Sequence, residues 1–198
     1  MKLFIAVLAG YLLGSIPPSF LAGKIARNID IRQYGSGNAG ATNVLRVLGV
    51  KAGIAVFLAD ILKGVLATLI GRWMAGETGA VLAGFAAIVG HNWPVFLNFR
   101  GGKGIATSFG VLLVLFPLIS AILFVVGVII IAITGYVSLG SITAAILFPI
   151  LLVIFGYDWK MVLFGVLVGG LALYRHRSNI SRLIEGKENK LGERARVQ

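Results

Sequence analysis

Hydrophobic residues in this chain gather in long runs separated by short polar breaks. The runs cover about 3–23, 52–71, 78–97, 105–118, 119–136, 138–156 and 159–174. A helix needs roughly 20 apolar residues to cross a bilayer, with a usual range of about 17–25. Six of the runs come near that length. The seventh, "IATSFGVLLVLFPL" at 105–118, is short, and Pro117 marks a turn at its end. It is expected as a shallow helix or as one that borrows polar residues at its ends. The pattern predicts an all-α integral membrane protein with seven transmembrane helices, folded as a single polytopic domain over 1–198.

Composition agrees with the pattern. Hydrophobic residues make up 58% of the chain and charged residues 13%, at a mean hydropathy of +0.96. A soluble domain carries about 25% charge. The opening "MKLFIAVLAGYLLGSIPPSFLAGK" imitates a signal peptide, but its apolar stretch continues past Pro18 and no A-x-A cleavage site follows. It is expected as the first span, disturbed at Pro17–Pro18. The chain has no cysteine, which removes disulfides, thiolate catalysis and thiolate metal sites.

Charge supplies the orientation. Seven spans place 14 basic residues on one side, from Lys24 to Lys51, at Arg100 and Lys103, and in the tail from Arg175. The other side holds Lys2, Arg72 and Lys160. The positive-inside rule then puts the N-terminus outside and the C-terminus in the cytoplasm. The net charge of +11 is therefore read as basic loops beside an anionic leaflet, with membrane lipid as the partner and no nucleic acid. The tail from Ser178 is polar and basic, expected as helix at first and frayed at its end.

Polar, glycine-rich segments fall on that same basic side. One is "YGSGNAGATNVLR" at 34–46, another "HNWPVFLNFRGGKGIATSFG" at 91–110, and the third combines "SLGSIT" at 138–143 with "RHRSNISRL" at 175–183. Glycine-rich backbone before a helix start offers free N–H groups and a positive dipole end to an anion. In "GGKGIATS", Lys103 adds a charge and Thr107 or Ser108 a hydroxyl. Either loop alone reads more simply as a turn, and neither is a Walker motif. Two such loops, each with a cation, point to two phosphorylated substrates or one diphosphate. His176 and Asn179 share a face at helical spacing beside them. His91 is expected to cap the third helix. Asp60 and Lys63, three residues apart within the second span, should pair and neutralise each other, the alternative being a proton or ion pathway.

Other chemistries lack their residues. Asp does not follow either His at the five-residue spacing of one acyltransferase signature, since Phe96 follows His91 and Ser181 follows His176. No G-x-S-x-G elbow occurs. Acyl transfer here would have to proceed without a side-chain base of the usual kind. A carrier for a phosphorylated solute is the rival reading. It would use the same anion loops, but no inverted repeat is visible.

The stretches "GSGNAGATNVLR" at 35–46, "HNWPVFLNFRGGKGIATSFG" at 91–110 and "HRSNISRL" at 176–183, with "ADILKG" at 59–64, closely resemble the bacterial acyl-phosphate-dependent glycerol-3-phosphate acyltransferases of the PlsY type. The likeness covers nearly the whole chain. It implies transfer of a fatty acyl group from acyl phosphate to the 1-hydroxyl of glycerol 3-phosphate, giving lysophosphatidic acid and phosphate. It implies a multi-pass protein of the bacterial cytoplasmic (inner) membrane whose site faces the cytoplasm, with no cofactor and no metal. A soluble enzyme supplying acyl phosphate is the implied partner. By motif position, Gly35, Ser36, Gly37, Asn38, Thr42, Asn43 and Arg46 hold one phosphate, and Gly101, Gly102, Lys103 and Gly104 the other. Ser36, His176, Asn179 and Ser141 are the expected catalytic residues, with His176 and Asn179 orienting the attacking hydroxyl or the carbonyl.

Overall fold

A computed structural model describes residues 1–192, and every ordered element in it is helical. The helices are α1 (Lys2–Ser15), α2 (Pro18–Arg27), α3 (Ala41–Leu48), α4 (Val50–Asn92), α5 (Ile105–Leu115), α6 (Pro117–Thr134), α7 (Val137–Ile154), α8 (Trp159–Arg175) and α9 (Arg177–Ile184). Among the described residues, four stretches are long and apolar enough to cross a membrane: Lys2–Arg27, Val50–Leu97, Pro117–Thr134 and Val137–Ile154. Helix α5 is a shorter apolar helix, as its sequence predicts.

Breaks in the helices follow local chemistry. The expected disturbance at Pro17–Pro18 separates α1 from α2, with Pro18 opening the second helix where its missing N–H costs nothing. Asn28 ends α2 in a left-handed conformation (φ 54°), which Asn tolerates. Helix α4 loses helical geometry at Ala75 and Gly76, dividing it into arms 50–74 and 77–92. Pro117 opens α6, and Gly135 closes it at φ 78°. The Asp158 carboxylate caps α8 by accepting from the backbone N–H of Lys160 at 2.8 Å and of Met161 at 3.2 Å.

The described chain forms two compact units, Met1–Leu115 with Gly192, and Phe116–Leu191. In the first, small residues let backbones meet. A β-carbon at Gly10 would lie 2.9 Å from the Ala83 α-carbon, and one at Gly14 2.6 Å from that of Ala87. That pairing seats α1 on the second arm of α4, by the small-residue packing that drives helix association in lipid. Helix α5 packs on α4 through Gly64 against Thr107, Gly110 against Ile61 and Gly84 against Val111. A separate cluster of Ile31, Val44, Val47 and Val56 fastens α3 to the start of α4. In the second unit α7 packs on both α6 and α8. Its core is aromatic, with the Phe116 ring 5.6 Å from that of Phe148 and 5.1 Å from that of Tyr157.

Candidate functional site

The first polar segment is a turn built around one buried side chain. Gly35 and Gly37 both adopt positive φ (60° and 70°), and with Ser36 between them they form an exposed tip. Asn43, 1% exposed on α3, donates to the carbonyls of Ile31 (3.1 Å) and Tyr34 (3.0 Å). Its side-chain oxygen accepts from the Ser36 N–H at 2.8 Å. Asn43, one of the residues expected at a phosphate seat, thus braces the loop from within. Asn38 is half-buried in the loop, while Thr42 and Arg46 are half-buried on α3.

The second segment turns back on the end of α4. The Gly101 N–H donates to the Asn92 carbonyl at 3.3 Å and the Gly102 N–H to the His91 carbonyl at 3.1 Å. Asn98 and Phe99 both sit in the left-handed region (φ 52° and 59°), costly for a bulky residue such as Phe99 and held by its N–H bond to the Pro94 carbonyl at 2.9 Å. Gly104, at φ 81°, leads into α5, and Lys103 beside it is half-buried. A β-carbon at Gly104 would lie 2.7 Å from the Asn92 side-chain oxygen. Asn92 is fully buried, and among the described residues neither of its side-chain polar atoms has a hydrogen-bond partner. A buried, unpartnered amide costs about 1–3 kcal/mol per group, so its position beside a glycine loop at a helix start is informative.

Arg32, counted in the sequence only among the basic loop residues, binds these segments together. Arg32 meets the Asp30 carboxylate at 2.7 Å and also donates to the carbonyls of Leu97 (3.2 Å) and Arg100 (3.3 Å). It clamps the start of the first loop to the corner of the second. The hydrogen bond from Arg32 holds the Asp30 carboxyl below its ordinary range, outweighing burial. His91 does not cap its helix as expected. Its ring lies 3.2 Å from Asp60 and 2.9 Å from Lys63, which themselves pair at 2.8 Å. The mutual pairing of Asp60 and Lys63 read from their spacing is present, and His91 joins it.

In the second unit, His176 and Asn179 are buried at the α8–α9 junction, 3% and 4% exposed. The His176 Nδ1 lies 2.7 Å from the Ala172 carbonyl, so that nitrogen carries the proton. In the neutral ring Nε2 is then the acceptor. Ser141, half-buried on α7, donates to the Val137 carbonyl one turn earlier at 2.9 Å.

Glu188 organises this half. It accepts from Asn179 at 2.6 Å, from Ser138 at 2.9 Å and from the Arg182 guanidinium at 2.7 Å. The tail is thus anchored well past Ser178: the Leu191 N–H also donates to the Gly135 carbonyl at 2.7 Å. Fraying was expected at the very end, and residues 193–198 lie outside the described chain. Burial alone would raise the Glu188 pKa, but the bonds from Asn179, Arg182 and Ser138 prevail and lower it. A carboxyl lowered on folding stabilises above its ordinary pKa, and that stability is lost as pH falls through the depressed value. Glu188→Gln should therefore cost on the order of 1–3 kcal/mol at neutral pH. Thermal unfolding in detergent should show wild type and variant converging only as the pH is lowered below the ordinary carboxylate range.

Comparison with known proteins places these segments in context. The family model described as "Glycerol-3-phosphate acyltransferase" matches residues 4–186. A glycerol-3-phosphate acyltransferase of Thermoanaerobacter sp. (strain X514) is 52% identical, with all of both chains covered. One from Halalkalibacterium halodurans is 46% identical over 96% of each chain. Among solved structures, the glycerol 3-phosphate form of PlsY (YgiH), an integral membrane glycerol 3-phosphate acyltransferase, is 40% identical at a TM-score of 0.89, covering 97% of this chain and 96% of that one. Its lysophosphatidic acid form matches at 0.87 and 40% identity, over 98% and 97%.

Proposed function

The chain belongs to the glycerol-3-phosphate acyltransferase family of integral membrane proteins, and from that premise we propose that it acylates the 1-hydroxyl of glycerol 3-phosphate with acyl phosphate as donor. The products are lysophosphatidic acid and inorganic phosphate. One observation carries most weight: the "GGKG" loop opens α5 beside the buried, unpartnered amide of Asn92. This is the chemistry of an anion seat. A solute carrier is not the activity this family is named for, and we set that alternative aside.

In the proposed step the glycerol oxygen attacks the acyl carbon, and the bond from that carbon to the phosphate oxygen breaks. The hydroxyl proton passes to an oxygen of the departing phosphate, so no side-chain base is required. Phosphate is a good leaving group, leaving the protein to orient the reactants and stabilise the oxyanion. His176 Nε2 is the acceptor that would align the attacking hydroxyl, with Asn179 held by Glu188 and Ser141 supporting it. Ser36, Asn38, Thr42, Asn43 and Arg46, with Gly35 and Gly37, form one phosphate seat. Gly101, Gly102, Lys103 and Gly104 form the other. The enzyme acts as one domain over 1–198, in lipid and without cofactor or metal. Purified protein given acyl phosphate and glycerol 3-phosphate should release lysophosphatidic acid, followed by mass spectrometry. No product from the acyl phosphate, with product from another acyl donor, would refute the donor assignment.

We also propose seven spans, with the glycine loops facing the cytoplasm of the bacterial inner membrane. The cysteine-free chain allows a direct test. Trp73→Cys, on a residue 86% exposed near the break in α4, should react with an impermeant thiol reagent added to intact cells. Arg100→Cys and Lys187→Cys, at exposed positions, should not. Reaction of the latter pair and silence of the first would reverse the orientation.

A further inference from the structure

Charged side chains within a membrane-spanning helix are costly and usually have a task. Asp60 and Lys63 lie on the first arm of α4, 1% and 5% exposed, and His91 lies near the end of the second arm at 6%. The Lys63 ammonium has three N–H donors and three acceptors around it. They are Asp60 Oδ1 at 2.8 Å, the Ile16 carbonyl at 2.9 Å and His91 Nδ1 at 2.9 Å. With Lys63 charged and Asp60 ionised, the cluster is neutral overall when the His91 ring is neutral. With Lys63 charged, Nδ1 is its acceptor, and the neutral ring then carries its proton on Nε2.

That nitrogen faces the glycine loop. The α-carbon of Gly102 is wedged between His91 Nε2 and the Ala39 carbonyl, which would lie 2.5 Å from a β-carbon there. The backbone of His91 holds the same residue through the Gly102 N–H, at 3.1 Å. Ala39 belongs to the first loop and Gly102 to the second. The cluster therefore lies beneath the point where the two loops meet. A small pocket at this point is lined in part by Ser15, Ala39, Lys63, His91 and Gly102.

We propose that Asp60, Lys63 and His91 are positioning residues. They set the glycine loop 101–104 against the loop around Ala39, and through it the affinity for a phosphorylated substrate. The proposal rests on the two loops being phosphate seats. None of the three side chains needs to touch substrate: Lys63 fixes the tautomer and tilt of His91, and His91 fixes Gly102. A cluster that served stability alone would change how much protein folds, not how tightly the folded protein saturates.

Two independent variants separate these outcomes. His91→Leu removes the ring's bond to Lys63 while remaining large and apolar. Asp60→Asn combined with Lys63→Met removes both charges together, so no lone charge is left buried. Each purified variant is titrated with glycerol 3-phosphate at saturating acyl phosphate, and with acyl phosphate at saturating glycerol 3-phosphate. Both should raise the KM for the same one of the two substrates by about tenfold or more, with kcat changed by no more than about threefold. His91→Gln supplies an acceptor toward Lys63 and a side chain long enough to pack on Gly102, and should return KM to within about threefold of wild type. Wild-type KM for both substrates in either folded variant would overturn the proposal. So would failure of both variants to fold, which would assign the cluster to stability alone. Wild-type protein that makes no lysophosphatidic acid would instead count against the proposed function.

Discussion

Gly102→Ala should lower kcat/KM by about 100-fold, the scale on which a displacement of about 1 Å in a positioning element acts. The added methyl would be driven into the His91 ring and would stand 2.5 Å from the Ala39 carbonyl. Neither obstacle is the free end of a flexible chain. One is a buried ring held by Lys63 and Asp60, and the other is backbone. The loop must therefore move, taking Gly101 and Lys103 with it. Overpacking of this kind costs about 1–3 kcal/mol, so a folded but impaired enzyme is the expected product. Gly170→Ala on α8 is the control, because a β-carbon there meets nothing within 4 Å. Steady-state kinetics on both variants, with circular dichroism to confirm helix content, would settle the matter. Wild-type kcat/KM in Gly102→Ala would show that the loop does not hold substrate.

His176→Ala should reduce turnover by about 100-fold, again a loss of orientation. The partial recovery by Gln is more informative. His176 donates from Nδ1 to the Ala172 carbonyl, and in the proposed step Nε2 is the atom that aligns the hydroxyl. Gln retains a donor and an acceptor but cannot take up and hold a proton. If the departing phosphate removes the proton, His176→Gln should keep measurable activity, and its deficit should be the same across the pH range. A conventional base would behave differently. Its loss would cost about 10²–10⁴-fold, and the acidic limb of the pH–rate profile would disappear with it. That pattern would refute proton transfer to the phosphate.

The parts of this protein that depend on neighbours along the chain were readable from sequence. Apolar runs anticipated the helices, Pro17–Pro18 the first break and Pro117 the start of α6. The spacing of Asp60 and Lys63 anticipated their pairing. Contacts between distant segments were not readable. His91 is 28 residues from Lys63, and they meet only because α4 breaks at Ala75–Gly76. Arg32 looked like one more basic loop residue, yet its partners at Leu97 and Arg100 lie 65 and 68 positions away. Glu188 was hidden in a tail whose basic composition suggested solvent, although three polar side chains converge on it. Asn43 was noticed for its chemistry, and its bonds to Ile31, Tyr34 and Ser36 were not foreseen. Composition shows that a polar group is present, and only the fold shows which way it faces.

The close seat of α1 on the second arm of α4 bears on how the protein is made. Gly10 and Gly14 meet Ala83 and Ala87, residues that leave the ribosome long after α1 has been synthesised. During that interval the glycine face of α1 has only lipid or a chaperoning insertase against it. Asp60 and Lys63 emerge together and can neutralise each other at once, whereas their third member arrives only with residue 91. The ground on which the glycine loops rest is therefore completed in a single late step of biogenesis, when the returning arm docks. A chain halted before residue 91 would already hold the loop around Ala39 but lack the ring that lies beside Gly102.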